Sequence, residues 1–280
     1  MESLDGRVAI VTGASRGIGA EIARRFAAEG ARVAVSARTT EPGQSAFEGT
    51  IHETVQSIVD TGGAAVAVAA NLARVEDRAR LVEETEQQLG PVDVLVNNGA
   101  VTWFAPVEGF QEKHYRMMFE VQVRAPFELA QLVLPGMRAR RWGAILNISS
   151  KGALHPGGPP FRSNPGGAVY GMVKAALERF STGLAAEVHE DNVRVNALSP
   201  TSIVPTPGVV HHQLLTPERQ HLAEPVDVMA AAALALVTDE SLTGRVAYSQ
   251  QLLWELGLGA EPLQELLVAD HPRMRPLPEE

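Results

Sequence analysis

The sequence predicts a doubly wound α/β fold, with a mainly parallel seven-stranded sheet and helices on both of its faces. Two observations support this prediction. Seven short runs rich in valine, isoleucine and alanine recur along the chain. Several lack the strict apolar–polar alternation that is typical of a strand with one solvent-exposed face. Longer stretches with helical spacing separate these runs. This order favours a parallel sheet, because each parallel connection needs a crossover, usually a helix.

The strand runs follow one another along most of the chain. In order they read RVAIV, RVAVS, AAVAVAA, VDVLVNN, AILNIS, VRVNALS and RVAYS. The first helical stretch, IGAEIARRFAAEG, closes at Gly30, because glycine accepts the left-handed conformation that ends many helices. With no repeat or interdomain linker in the pattern, we predict one domain over residues 1–256 and a proline-containing, partly ordered C-terminal extension over 257–280.

Two segments break the alternation of strands and helices. Residues 154–167 are rich in glycine and proline, and residues 201–225 combine prolines with apolar side chains. Both follow predicted strands, and ligands of such sheets bind outside the carboxyl ends of the strands. We predict that the first segment is an insertion beside the active site and that the second is a lid over the substrate.

The composition excludes several classes of function. The 280 residues carry a formal net charge of -9, which argues against polyanionic partners, and the absence of cysteine excludes disulfides and thiolate catalysis. The sequence shows no secretory signal and no apolar run long enough to span a membrane. His211, His212 and His221 match no metal-ligand spacing, so no metal is predicted. We expect a cytoplasmic protein without nucleic-acid or membrane partners.

A glycine-rich turn joins the first strand to the first helix. VAIVTGASRGIGAEIA places Gly13, Gly17 and Gly19 where a tight turn lets the backbone approach an anion without a Cβ in the way. The free N–H groups at the helix start then face that anion. Because the turn follows the first strand of a βαβ unit, a dinucleotide site is favoured over a plain tight turn. The other loop residues assigned to the cofactor are Ser15, Arg16 and Ile18.

The end of the second strand favours NADP over NAD. VAVSARTTEPG lacks the acidic residue that usually holds the adenosine ribose 2′-hydroxyl. It offers Arg38 instead, and Arg16 lies in the glycine turn. Two guanidiniums suit a 2′-phosphate, because arginine pairs with phosphate through a planar fork. The alternative is that both are solvated surface arginines, in which case NAD is the cofactor.

A tyrosine precedes a lysine by four residues in GGAVYGMVKAALERF, although the chain contains only three of each. The helical spacing of Val169, Val173 and Phe180 predicts an apolar stripe, with Tyr170 and Lys174 stacked one turn apart beside it. An ammonium and a cationic nicotinamide would lower the pKa of the tyrosine from about 10 toward working pH. A phenol tuned in this way can exchange a proton with a carbonyl or alcohol oxygen while hydride moves at carbon.

Two serines end the strand before this helix, in GAILNISSK. A hydroxyl at this place could hydrogen-bond the same substrate oxygen and hold it against the tyrosine. Other interpretations stay open at this point. The serines could cap the strand end, and Tyr170 could be a half-buried aromatic residue.

Four motifs together resemble the short-chain dehydrogenase/reductase family, over about residues 5–250. TGASRGIG is similar to its cofactor loop, NNGA to its fourth-strand motif, and NISS and YGMVK to its active-site serine and Tyr-x-x-x-Lys. The resemblance implies a Rossmann-type fold in which Tyr170 is the general acid/base, Ser150 orients the carbonyl and Lys174 binds the nicotinamide ribose. It also implies a homodimer or homotetramer, and further cofactor contacts from Asn71, Leu72, Asn98 and Ile203.

The chain departs from the family pattern at several positions. In the family, an asparagine at the position of Gln122 holds a water that relays protons. Because this chain has the longer glutamine there, we expect slowed but real turnover. Asn71 replaces an aspartate near the adenine, and Ser150 and Tyr170 lie about seven residues further apart than usual. Trp103 directly follows the fourth-strand motif, and it either lines the substrate pocket or packs in the core.

These observations predict an NADP-dependent oxidoreductase that interconverts a secondary alcohol and a ketone, with an apolar substrate of medium size. The predicted catalytic residues are Ser150, Tyr170, Lys174 and Gln122, and the predicted substrate contacts are Ser150, Tyr170 and Trp103. The alternative is a catalytically weakened family member that binds a dinucleotide as a regulatory or scaffold protein. The intact serine, tyrosine and lysine favour the enzyme, since a sensor needs only the cofactor loop.

Overall fold

The structure, a computed structural model, describes residues 3–158, 166–211, 215–263 and 266–268. Its strands are β1 Val8–Thr12, β2 Arg32–Ala37, β3 Ala64–Ala69, β4 Val94–Asn97, β5 Gly143–Ile148, β6 Val193–Ser199 and β7 Val246–Tyr248. They form one seven-stranded sheet in the order β3-β2-β1-β4-β5-β6-β7, and every neighbouring pair is parallel. The predicted fold class is confirmed, and the sheet is wholly parallel.

Helices connect the strands and cover both faces of the sheet. They are α1 Gly17–Ala28, α2 Ile51–Val59, α3 Val75–Leu89, α4 Glu112–Phe119, α5 Ala125–Arg140, α6 Gly167–Val188, α7 Pro207–His211, α8 Val226–Thr238 and α9 Ser249–Glu255. A π-helical segment, Glu120–Arg124, joins α4 to α5. Within the described ranges, no helix combines the length and the apolar character that crossing a membrane requires.

Apolar side chains on both faces of the sheet form the core. β1, β4, β5 and β6 are buried along their whole length, in keeping with sequences that are mainly apolar and lack strict alternation. Phe26 of α1 and Met229 of α8 pack on one face, and Leu81 of α3 and Met137 of α5 pack on the other. Each such side chain contributes about 1.5–3 kcal/mol on burial. The core therefore fixes the strand ends relative to one another.

The strand order reverses between β1 and β4, since β1 pairs with β2 on one side and β4 on the other. A crevice opens outside the carboxyl ends of strands at such a point. The predicted insertion and lid follow β5 and β6 at this edge. The segment predicted to be a lid contains α7 and a 3₁₀ turn, Pro217–Leu222. Residues 159–165 of the insertion, 212–214 of the lid, and 264–265 and 269–280 of the extension lie outside the described residues.

A fully buried arginine links three elements. Arg78 of α3 donates through Nε to the Leu72 carbonyl at 2.7 Å, and its guanidinium pairs with Glu120 and Glu128. Arg124 contacts the same two carboxylates from a more exposed position. Because charges taken out of water need close partners, this cluster ties the start of the π-helical segment to the loop after β3.

We expect Arg78→Met to lower the free energy of unfolding by about 1–3 kcal/mol, because the Leu72 carbonyl and the two carboxylates would lose a hydrogen-bond donor, while Arg124 would still pair with Glu120 and Glu128. Urea denaturation followed by circular dichroism measures this loss. Arg80→Met is the control, since the ion pairs of Arg80 lie at the surface of the same helix and contribute less than about 1 kcal/mol. Equal losses in the two variants would contradict the role given to Arg78.

Candidate active site

The glycine turn after β1 is packed too closely for side chains. A Cβ on Gly13 would lie 2.7 Å from the Gly99 Cα, and Gly13 has a φ of +64°. A Cβ on Gly19 would lie 2.6 Å from the Gly13 carbonyl oxygen. The Asn98 side chain donates to the carbonyl oxygens of Thr12 and Gly13, at 2.9 and 3.1 Å. The turn thus presents bare backbone at the end of β1, and Asn98 holds its shape.

Helix α1 begins at this turn without a side-chain cap. Its N-cap residue, Arg16, makes no capping hydrogen bond to the first N–H groups of the helix. Around it, Ser15 is buried, Ile18 packs against the core, and Gly17 faces the methyl group of Thr206. Uncapped N–H groups at a helix start attract anions, so the pyrophosphate of a dinucleotide fits this position.

Two guanidiniums interact beside the glycine turn. Arg16 donates to the Ser45 hydroxyl at 3.0 Å and to the Gly49 carbonyl at 2.7 Å, which anchors its side chain to the loop before α2. Burial and then the like charge of Arg38 lower the pKa of Arg16, whereas Glu53 raises it. The Arg16 Nε is buried and has no hydrogen-bond partner among the described residues. An anion bound between the two cations would offset their repulsion.

The loop after β3, assigned to the adenine, is held by its own hydrogen bonds. The Asn71 backbone N–H donates to Asp77 at 2.7 Å, and its side-chain oxygen accepts from the Ala73 N–H at 3.1 Å. Leu72 packs against Gly99, where a Cβ would lie 2.6 Å from the Leu72 Cδ1. Because the Asn71 oxygen serves its own loop, the amide nitrogen is the group it can offer to a base edge.

Ser150, Tyr170 and Lys174 come together at the carboxyl end of β5. The Ser150 hydroxyl acts on the Tyr170 phenol, whose ring packs against Gly152, and it accepts from the Gly152 N–H at 3.1 Å. Lys174 lies one turn further along α6, with Nζ 5.9 Å from the centre of the tyrosine ring. This ammonium donates to the Ile148 carbonyl at 2.8 Å and is only 4% exposed. Two hydroxyls are therefore neighbours, with a buried cation close by.

The surroundings of Tyr170 raise its pKa. Burial is the larger cause, and the hydrogen bond with Ser150 acts in the opposite direction. From the sequence we expect the ammonium and a bound nicotinamide together to lower this pKa, and among the groups that the chain itself provides burial has the larger effect. The physical reason is that desolvation destabilises the charged phenolate by more than the neighbouring groups stabilise it. At neutral pH the phenol keeps its proton and can donate it.

Lys174 has an acidic neighbour that the sequence analysis missed. Burial lowers the pKa of Lys174 to about 8, and the negative charge of Glu178 raises it. Glu178 also accepts from the Ser149 hydroxyl at 2.7 Å. The available signal was its position four residues after Lys174, which places both on one helix face. The two serines thus differ, because Ser150 meets the phenol and Ser149 meets the carboxylate.

Gln122 lies within the π-helical segment. Its Nε2 donates to the Val101 carbonyl at 2.7 Å. Its Oε1 is buried and has no hydrogen-bond partner within the described part of the chain. π-helical turns occur frequently at functional sites, and no local sequence signal indicated this one. The turn leaves one buried acceptor for a water or a polar ligand.

Trp103 and Phe104 follow β4 but have different surroundings. Trp103 stacks on His114, with ring centres 4.2 Å apart and planes 4° from parallel, and it packs against the cluster around Met118. Phe104 is 37% exposed, and its ring centre lies 5.5 Å from that of Tyr170. The aromatic ring beside the Tyr170 phenol is therefore that of Phe104, whereas Trp103 packs against His114 and the cluster around Met118.

Hydrogen bonds close the base of the predicted lid. Ile203 pairs with Ala223 in a parallel bridge, and its carbonyl accepts from the Glu224 N–H at 2.9 Å. The buried Glu224 carboxylate accepts from the Ser202 N–H at 3.0 Å and from the Ser249 hydroxyl. Burial raises the pKa of Glu224. Ile203, which the family resemblance assigns to the cofactor, therefore lies in a fixed turn after β6.

The histidines near the lid show no metal geometry where they are described. The His211 ring meets the edge of Phe47, with ring centres 5.2 Å apart. His212 lies outside the described residues. Across the ranges that the structure describes, no three side chains of histidine, cysteine, aspartate or glutamate form a group that could hold a metal ion.

Comparison with known proteins identifies the family. The short chain dehydrogenase model matches residues 7–213. The chain belongs to the short-chain dehydrogenase/reductase family. An uncharacterised oxidoreductase of Methylorubrum extorquens is 38% identical over 206 residues, which cover 73% of this chain and 76% of that protein. A hydroxynaphthalene reductase-like protein of Metarhizium majus is 36% identical over 202 residues, which cover 72% of this chain and 70% of that protein.

A solved structure of a family member carries a bound dinucleotide. It is a 3-oxoacyl-(acyl-carrier-protein) reductase of Agrobacterium tumefaciens with NADP, and it matches with a TM-score of 0.76 and 29% identity. The match covers 88% of this chain and 93% of that one. As a short-chain dehydrogenase/reductase with such relatives, the protein is an NAD(P)-dependent oxidoreductase.

Proposed function

We propose that this short-chain dehydrogenase/reductase interconverts a secondary alcohol and a ketone, with NADP as cofactor and an apolar substrate of medium size. The observation that carries this proposal is the proximity of the Ser150 hydroxyl and the Tyr170 phenol, which lie together beside Gly152 and close to the buried ammonium of Lys174. Two neutral hydroxyls at one point can bind the same carbonyl oxygen, and one of them can give it a proton.

Tyr170 is the general acid in the direction of reduction. Because burial raises its pKa, the phenol is protonated at neutral pH. Ser150 donates a hydrogen bond to the carbonyl oxygen and orients it for attack. A dinucleotide held by the glycine turn and Lys174 would supply the hydride that the carbonyl carbon accepts. The Tyr170 proton then passes to the oxygen, and in oxidation the same groups act in reverse.

Lys174 stabilises the phenolate that proton transfer leaves on Tyr170. Its Nζ lies 5.9 Å from the ring centre and is shielded from water, so its charge acts strongly on negative charge that develops nearby. We assign the buried Gln122 oxygen to a water in the path that returns the proton. We expect this relay to be slower than one built on the shorter asparagine.

Phe104 supports an apolar substrate. Its exposed ring, 5.5 Å from the Tyr170 ring, offers a flat apolar surface beside the reacting oxygen. The name of the hydroxynaphthalene reductase-like relative refers to a fused aromatic ring. A ketone carried on an apolar ring or chain, packed against Phe104 beneath the lid, fits these observations.

We expect Tyr170→Phe to lower kcat for ketone reduction by about 10²–10⁴-fold, because the general acid is lost while the ring is kept. A panel of ketones and alcohols, followed at the absorbance band of NADPH, measures this. Tyr115→Phe is the control, since it removes a hydroxyl from the exposed face of α4. Activity that survives in Tyr170→Phe would remove Tyr170 from its role. A flat wild-type panel with tight NADPH binding would favour a regulatory dinucleotide-binding protein instead.

The preference for NADP is supported by the two guanidiniums beside the glycine turn. Arg38 acts on Arg16 as a like charge, and a 2′-phosphate between them would offset this repulsion while accepting hydrogen bonds from both. NAD carries a neutral hydroxyl at that position and would leave the repulsion in place.

We expect Arg38→Ala to raise the Kd of NADPH by about 10-fold, because a hydrogen bond to a charged group contributes about 1.5–3 kcal/mol. The Kd of NADH should stay within about 2-fold, because NADH has no 2′-phosphate. Quenching of protein fluorescence on titration with each dinucleotide gives both constants. Arg24→Ala, which removes a surface arginine of α1, is the control. Equal changes for the two dinucleotides would refute the assignment.

We also propose a homo-oligomer formed through the outer face of α4, α5 and α6. These three helices expose the large apolar side chains of Tyr115, Met117, Phe127, Leu132 and Met172. A groove of about 500 Å³ lies among Tyr115, Phe119, Phe127 and Phe180. A patch of this kind marks an interaction surface, and a second copy can present the same face across a two-fold axis.

We expect Phe127→Glu to shift the protein toward the monomer, because a charge would be buried in an apolar contact. Size-exclusion chromatography with light scattering measures the mass. Val59→Glu is the control, since Val59 is an equally exposed apolar residue at the end of α2. A monomeric wild type, or an unchanged mass in Phe127→Glu, would contradict the proposed interface.

A further inference from the structure

We propose that Glu178 is a positioning residue of the active site. Its buried carboxylate keeps Lys174 in the ammonium form and, through Ser149, fixes the strand end that carries Ser150. The inference rests on the proposed function of Ser150, Tyr170 and Lys174, and it adds a charged residue behind them.

Lys174 and Glu178 lie one turn apart on the same face of α6. They are 4% and 5% exposed, so bulk water solvates neither charge. Lys174 donates to the Ile148 carbonyl at 2.8 Å, and Glu178 accepts from the Ser149 hydroxyl at 2.7 Å. The two helix residues therefore contact consecutive positions at the end of β5, immediately before Ser150.

A buried ammonium needs an opposite charge to keep its proton. Desolvation favours the neutral amine, and buried lysines without compensation lose their proton far below the pKa of free lysine. Burial lowers the pKa of Lys174 to about 8, and the Coulombic attraction of Glu178 opposes this fall. The consequence is an amine that stays charged at neutral pH, as stabilisation of the Tyr170 phenolate requires.

The other charged groups around α6 make their contacts elsewhere. Tyr170 is the titratable neighbour on the helix itself. On the surrounding elements, Lys151 donates a hydrogen bond to the Leu266 carbonyl, and His114 stacks on Trp103. Glu120 forms an ion pair with Arg124, and the Arg194 guanidinium lies over the Trp142 ring. The Coulombic contribution that acts on Lys174 is that of Glu178.

The small number of lysines makes a direct test possible. The chain has three lysines, so NMR of protein with isotopically labelled lysine follows each amine separately, and Lys113→Arg and Lys151→Arg assign the signals. We expect the Lys174 signal to titrate at about pH 8 in the wild type. Glu178→Gln keeps an acceptor for Ser149 but removes the charge, so the midpoint should fall by roughly one pH unit.

The affinity for NADPH provides a second readout. We measure the Kd of NADPH between pH 6 and 9. The midpoint pH at which the Kd rises should be roughly one unit lower in Glu178→Gln than in the wild type, because the neutral amine of Lys174 binds the nicotinamide ribose less well. This measurement needs no substrate. A protein that reduces no ketone but shows both shifts would refute the proposed function and keep the role of Glu178.

Two further variants separate charge from geometry. Ser149→Ala removes the hydrogen bond and keeps the carboxylate, and Glu178→Asp keeps the charge, so both should titrate near the wild-type midpoint. An unchanged midpoint in Glu178→Gln would overturn the proposal. An equal fall in Ser149→Ala would also overturn it, because the strand end would then be the cause. If Glu178→Gln does not fold, the wild-type protein still tests the proposal, because a Lys174 titration midpoint well below pH 7 would contradict it.

Discussion

The proposed active site depends on the contact between α6 and the end of β5. The Lys174 Nζ donates a hydrogen bond to the Ile148 carbonyl at 2.8 Å, and both residues are buried. Leaving either group without a partner would therefore destabilise the fold. This hydrogen bond fixes the rotation of α6 and therefore places Tyr170, one turn earlier, against Ser150. Apolar residues of the same helix face the core, so the helix cannot turn without exposing them.

The side of the crevice proposed to bind the dinucleotide relies on the backbone rather than on side-chain chemistry. The Asn98 amide clamps the turn after β1, and glycines allow the neighbouring chains to approach within contact distance. This half of the site offers N–H groups and shape, whereas the β5–α6 half offers a proton, a hydrogen bond and a positive charge. The parallel strand order brings the two halves to the same edge of the sheet.

Charged side chains in this fold differ in how they are compensated. Arg78 is enclosed by two carboxylates and a carbonyl, which is the arrangement of a structural ion pair. Lys174 has one carbonyl and one nearby carboxylate, and its proton is held less firmly. Arg16 and Arg38 act on each other as like charges. The compensation of charge is therefore greatest at Arg78, smaller at Lys174 and smallest at the predicted phosphate site.

The sequence by itself determined the seven strands, the glycine turn and the spacing of Tyr170 and Lys174, because each depends on residues within one strand, one turn or one helical face. Only the tertiary structure decided the direction of the Tyr170 pKa, since desolvation depends on every atom packed around the ring. The same holds for the contact of Glu178 with Ser149 and for the π-helical turn that orients Gln122. These features join elements distant in sequence, and local pattern carries no information about how such elements pack.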